Sequence, residues 1–280
     1  LLKRLVERTA YKSNGDKSFY SAKMKLSDSG PVATPHDLFQ SDTSKVAFLP
    51  PKVFLTARFL YRRLSYCTGR KTSPFALYKT ENIIFIHVPK NAGTFINSVV
   101  YPSLPAAQST KINAHHSALY LKRLNAAQFA RMPKFAILRH PANRLESAFN
   151  YLKFNTPFET DKIFAETSLK DFETFENFCR SITAERFEQL LSWPHFQPQI
   201  SFICDSNGAV LVNALTSIES ISAGFPNLGA HLGKNWNGIT NTASDTPPPV
   251  VAMDLVNRHY ARDLALWGQI EASRDRLILL

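Results

Sequence analysis

An apolar, β-branched run, Ile83-Ile84-Phe85-Ile86-His87-Val88, stops at Pro89-Lys90. A small-residue turn, Asn91-Ala92-Gly93, then leads into a segment able to open a helix at Thr94. No other stretch limits the fold so strongly. A strand that passes into a helix through a tight turn gathers backbone N–H groups, a helix N-terminus and an ammonium around one point, which suits a phosphate or sulfate group. The loop is not a Walker A loop, because Lys90 precedes the small residues and no Gly-Lys-Ser/Thr follows. Taken alone, it is equally well read as a plain strand-to-helix turn.

A second segment repeats the pattern. Residues 134–139 (KFAILR) form a largely continuous apolar run, as in a parallel strand covered on both faces. Pro141 then falls where the first turn of a helix accepts it, and a helix is expected over 142–154. Arg139 stands at the strand's C-terminal end, and Arg144 and Ser147, three apart, share a helix face. Ligands of open parallel sheets bind beyond the carboxyl ends of the strands. Both segments deliver polar groups to that edge. Two strand-then-helix units with a crossover between them define an α/β class with a parallel sheet.

The remaining elements follow from periodicity and turn residues. Helical pieces are expected over 94–101, 117–124, 126–131, 169–181 and 184–192, and a closing helix over 251–267. Residues 202–204 and 209–215 flank a polar turn at 205–208 and read as a hairpin. Residues 1–80 read as an extension, irregular over most of 1–50, with a helix near 54–66. The domain proper is expected over 81–280.

The chain of 280 residues carries 33 Lys and Arg against 22 Asp and Glu, a net charge of +11 that favours anionic partners without choosing among them. Its three cysteines, Cys67, Cys179 and Cys204, are far apart and lack C-x-x-C spacing, which argues against a disulfide scaffold and a zinc site. No Asn-x-Ser/Thr acceptor occurs, which favours a cytoplasmic location. The chain begins at Leu1 rather than Met, so a preceding anchor, and with it the Golgi lumen, is the alternative. No apolar run approaches the roughly 20 residues of a membrane span. Peripheral membrane contact stays compatible with the basic charge.

At these two segments the chain resembles a known family. Phe85 through Thr94 is similar to the 5′-phosphosulfate loop of sulfotransferases that use 3′-phosphoadenosine-5′-phosphosulfate. Arg139-His140-Pro141 through Arg144 and Ser147 is similar to their 3′-phosphate segment, Arg-x-Pro-x-x-Arg-x-x-Ser. The branch it looks most like is that of the carbohydrate sulfotransferases, related to the heparan 2-O- and chondroitin enzymes. His195-Phe196-Gln197-Pro198-Gln199 resembles that branch's His-Trp-x-Pro-Gln segment, and 260–264 its final helix. The likeness covers roughly 82–267.

The resemblance implies a P-loop-NTPase-like parallel sheet flanked by helices. Lys90 would contact the 5′-phosphate and the bridging oxygen. Asn91, Ala92, Gly93 and Thr94 would wrap the 5′-phosphate, while Arg139 and Ser147 would hold the 3′-phosphate. A guanidinium grips phosphate bidentately through charge-assisted bonds, in keeping with that role. Phe95 departs from the family, which commonly has Ser or Thr there, so one hydroxyl contact is lost or replaced by a backbone N–H.

Sulfuryl transfer to an alcohol needs a base and neutralisation of the leaving group, but no obligatory metal. The resemblance gives a His followed by small residues as the base. His116, before Ser117-Ala118, matches best, with His115 its neighbour. The plain alternative is that one of the pair caps the helix that follows. His195 is a rival and, with Gln199, a candidate acceptor contact. His87 reads as packed in its strand, and His140 as shaping its turn.

The expected acceptor is a hydroxyl on a saccharide or glycoconjugate, selected by loops near 102–114, 155–170 and 234–249. No nucleic-acid partner is expected. A different nucleotide-dependent transferase and a non-catalytic polyanion-binding module are the competing classes.

Overall fold

A computed structural model describes residues 72–103, 115–236 and 247–280, together with 64, 66 and 68. Most of the expected extension over 1–80, nearly all of the helix near 54–66, and much of two acceptor loops lie outside the described residues.

Helix α1 (Pro74–Glu81) starts with Ser73 Oγ accepting the N–H of Phe75 and ends on Asn82 in the left-handed region. Strand β1 (Ile84–Ile86) follows, then α2 (Gly93–Val100), α3 (Ala118–Leu124), α4 (Ala126–Arg131) and β2 (Lys134–Leu138). Both strands are wholly buried, as their unbroken apolar runs require of strands covered on two faces. They pair in parallel, with Ile84 opposite Lys134 and Ile86 opposite Ala136. Lys134 begins β2 with its ammonium buried. It donates to the carbonyls of Phe129 and Met132 at 3.1 and 2.9 Å, so it closes the C-terminal end of α4.

Helix α5 (Pro141–Asn150) has Pro141 in its first turn and His140 as its N-cap, with His140 Nδ1 accepting the N–H of Ala142. The helix expected to run to residue 154 changes character at Tyr151, where a π-helical turn (Tyr151–Asn155) takes over. Helix α6 (Glu159–Ser168) lies in the stretch expected to be an acceptor loop. The helix expected from 169 starts only at α7 (Phe175–Ser181), because Thr174 Oγ1 accepts the N–H of Asn177 and fixes the N-terminus there. Helix α8 (Ala184–Leu190) follows.

The expected hairpin is corrected. Its turn exists, with Asp205 Oδ1 accepting the N–H groups of Asn207 and Ala209, and Cys204 bridges Val210 at one point. Its first arm is instead a helical turn, α9 (Ile200–Ile203). The Asp263 carboxylate accepts the N–H groups of Gln199 and Ile200 and so stabilises that turn. The second arm leads into β3 (Ala214–Ser217), parallel to β2.

Helix α10 (Ile221–His231) follows β3. The expected single closing helix is a 3₁₀ turn (Val250–Ala252) followed by α11 (Met253–His259) and α12 (Ala261–Ala272). The break falls at Tyr260, whose buried hydroxyl donates to the Phe196 carbonyl at 2.6 Å. Strand β4 (Leu277–Leu279) then pairs antiparallel with β3. The sheet, in order β1-β2-β3-β4, is therefore mixed rather than purely parallel.

Apolar side chains form two clusters. One surrounds the sheet, with Phe85, Phe135 and Phe225 at its centre. The other joins α5, α7, α8 and α11 through Phe149, Phe178 and Phe187. The carboxyl ends of β1 and β2 lead into the loop at Lys90 and the segment at Arg139. Among the described residues, no helix is long and apolar enough to cross a membrane.

Candidate active site

The first loop is held from behind. Arg144 Nε donates to the Pro89 carbonyl at 2.9 Å, and Arg139 Nη1 donates to the Lys90 carbonyl at 3.2 Å. Asn91 Nδ2 donates to the Ile137 carbonyl and to Gln199 Oε1, both at 2.7 Å. Lys90 and Ala92 both have positive φ, 69° and 53°, the alternation that curls successive N–H groups into an anion-binding concavity. Ala92 is the N-cap of α2 and has no polar side chain, so the first N–H groups of that helix are left for a ligand. Gly93 is required by close approach, since a Cβ there would lie 1.8 Å from His87 Nε2. Ala92 and Thr94 are exposed, and so is Phe95.

Lys90, Arg139 and Ser147 line one cavity of about 340 Å³, together with Asn150, Tyr151 and Asn155. The Lys90 ammonium lies 3.9 Å from the centre of the Tyr151 ring. Burial, then the nearby Arg139 charge, lowers its pKa to about 8, with Asp161 pulling the other way. Burial also lowers the pKa of Arg139, against the pull of Glu219 and Glu146. Glu146 lines the same cavity, so the two desolvated cations stand beside one carboxylate and still favour an anionic occupant.

Three imidazoles adjoin the Lys90 side of the site. His87, expected within the strand, lies just past the end of β1 and is buried in stacked contact with Phe85. His115 lies 4.5 Å from the His87 ring and 5.7 Å from that of His195. His195 in turn lies 5.0 Å from the Tyr151 ring. His115 Nδ1 is 3.2 Å from the His87 carbonyl. A carbonyl only accepts, so Nδ1 carries the proton and the neutral ring's lone pair is on Nε2. Burial, followed by the two neighbouring imidazoles, pushes the His115 pKa well below its ordinary value. Burial and the Lys90 charge lower that of His195 to about 3. His115 also has φ of 44°, an unusual conformation for a non-glycine residue and one that recurs at functional sites.

His116 is buried, with its ring stacked on Tyr120 at 5.0 Å. Neither His caps α3, because Ser117 Oγ accepts the N–H of Tyr120. Gln199, expected as an acceptor contact, is fully buried with both amide ends bonded to the two loops. That burial removes it from direct contact with an acceptor.

Three site residues escaped the sequence reading. Tyr151 is four residues beyond Ser147 on the same helix, so its spacing was a usable signal. Asp161 is buried on α6. Its Oδ1 accepts from Trp193 Nε1 at 3.1 Å and its Oδ2 from Thr156 Oγ1 at 3.2 Å. Glu219, just after β3, accepts the His140 N–H at 2.9 Å and the Trp267 Nε1–H at 3.1 Å, which fixes the turn after Arg139. No local pattern marked either carboxylate. Among the described residues, no group of three or more His, Cys, Asp or Glu side chains is placed to hold a metal ion.

A family model described as "Sulfotransferase family" matches residues 73–228, more than half of the chain. The match spans β1, the loop at Lys90, β2, the Arg139 segment and β3. The chain belongs to the sulfotransferase family, and its general chemistry is transfer of a sulfuryl group. Comparison with curated proteins and with solved structures gave no match.

Proposed function

We propose that this sulfotransferase moves the sulfuryl group of 3′-phosphoadenosine-5′-phosphosulfate to a hydroxyl of a saccharide or glycoconjugate. The observation that carries the reading is the shared cavity, lined by Lys90, Arg139 and Ser147 together. One cavity with separate cationic groups fits a nucleotide with phosphates on two of its positions. The β1–loop–α2 unit is read as the phosphate loop of a P-loop-NTPase-like fold, with the N–H groups of 91–94 around the 5′-phosphate and Arg139 and Ser147 on the 3′-phosphate. The donor supplies an activated sulfuryl group on a phosphate leaving group. Lys90 neutralises charge that grows on the leaving oxygen. His115 Nε2 takes the proton of the attacking hydroxyl, with the ring held by its bond to the His87 carbonyl.

The test is thermal stabilisation by adenosine 3′,5′-bisphosphate against AMP and ATP. The bisphosphate is expected to give the largest rise in Tm, since a ligand at a hundred times its Kd adds about 2.7 kcal/mol. Equal stabilisation by AMP would remove the two-phosphate reading.

Lys90, with a pKa of about 8, is charged below that pH and neutral above it. An anionic nucleotide favours the charged form, so bisphosphate affinity is expected to fall as pH rises through 8, and binding above pH 8 takes up a proton. Calorimetry in two buffers of different ionisation enthalpy measures that uptake. The sign reverses if Lys90 loses a proton on binding.

A further inference from the structure

Besides the bonds from Arg139 to the Lys90 carbonyl and from Arg144 to the Pro89 carbonyl, one buried amide bonds to both loops of the site. Gln199 Oε1 accepts from Asn91 Nδ2 at 2.7 Å and from the Arg139 backbone N–H at 3.0 Å. Gln199 Nε2 donates to the Arg139 carbonyl at 2.8 Å. One side chain thus pairs with both polar backbone groups of Arg139 and with the side chain next to Lys90. Gln199 is held in turn by α12. Its backbone N–H donates to Asp263 Oδ2 at 2.6 Å, and the N–H of Ile200 to Asp263 Oδ1 at 3.0 Å. Gln199 and Asp263 are both wholly buried. Asp263 lies beyond residue 228, where the family match ends.

We propose that Gln199 is a positioning residue that fixes the distance between the Lys90 loop and the Arg139 segment, with Asp263 as its anchor. The inference rests on the donor reading above. Two phosphates on one ligand gain from each other only when their binding groups are held at the matching separation. A loose separation lowers the effective concentration of the second contact, while each contact alone survives. A merely structural residue would weaken every ligand alike. Glutamate cannot replace Gln199, because it lacks the N–H that meets the Arg139 carbonyl, and its second oxygen would face that carbonyl.

Calorimetry tests this with adenosine 3′,5′-bisphosphate, adenosine 5′-monophosphate and adenosine 3′-monophosphate. The proteins are the wild type, Gln199→Leu, Gln199→Glu and Asp263→Asn. Asp263→Asn, which leaves Gln199 and both loops unaltered, serves if the Gln199 variants fail to fold. The expected result is a loss of roughly tenfold or more in bisphosphate affinity, with each monophosphate within about threefold of wild type. Equal weakening of all three ligands, or unchanged bisphosphate affinity in a folded variant, overturns the proposal. A wild type that binds the bisphosphate no better than either monophosphate overturns the donor reading itself, and this inference with it.

Discussion

Replacing His115 with Ala is expected to lower kcat by about 10²- to 10⁴-fold, the range for loss of a general base. The fold should survive, because His115 is at the edge of the core and its ring bonds to a single carbonyl. The neutral ring has its lone pair on Nε2, and its neighbours are imidazoles rather than carboxylates. His116→Ala is the control. Its ring stacks on Tyr120 within the packing of α3, so the expected cost is in stability, with kcat reduced far less. Sulfate transfer from labelled donor into an acceptor panel, with Tm measured alongside, separates the two. If His116→Ala loses turnover and His115→Ala keeps it, the base is His116.

The second large effect is at Lys90. Lys90→Ala is expected to reduce kcat by about 10²- to 10³-fold, comparable to removing one donor that stabilises developing charge. Its ammonium is the cation set against the Tyr151 ring in the shared cavity. Lys90→Arg is not expected to restore the rate. Its planar fork is larger than an ammonium and would press on the same ring. Bisphosphate affinity should fall less than kcat, because Arg139 and Ser147 remain. An equal fall in both would make Lys90 a binding group only.

The β1–loop–α2 and β2–α5 units were readable from residue order. Apolar runs, a proline in a first helical turn and small residues at a tight turn are local signals, and local forces set those elements. The grouping of Lys90 with Arg139 and Ser147 was legible because parallel strands deliver their ends to one edge. The antiparallel β4 was not. It is a three-residue run, too short for periodicity, and it is defined by its pairing with β3. Residues 202–204 read as a hairpin arm because the carboxylate that stabilises the helical turn at Ile200–Ile203, Asp263, comes from far along the chain. Gln199 was misjudged for the same reason, as its partners lie 60 residues or more away. Which of His115 and His116 has its ring beside His87 is a matter of three-dimensional placement, which sequence order leaves open.

The π-helical turn at Tyr151–Asn155 makes one helical stretch intolerant of changes in length. Surface loops accept insertions and deletions, whereas this turn ends the α5 stretch and spans one residue more per hydrogen bond than α spacing uses. Removing one residue there would return the end of the helix to regular spacing and rotate the side chains from the deletion to Asn155 by about 100°. Asn155 would then swing away from the cavity, and Thr156, just past the turn, would lose its place against Asp161. In chain length, the wall beside Lys90 is as closely specified as the loop that carries it.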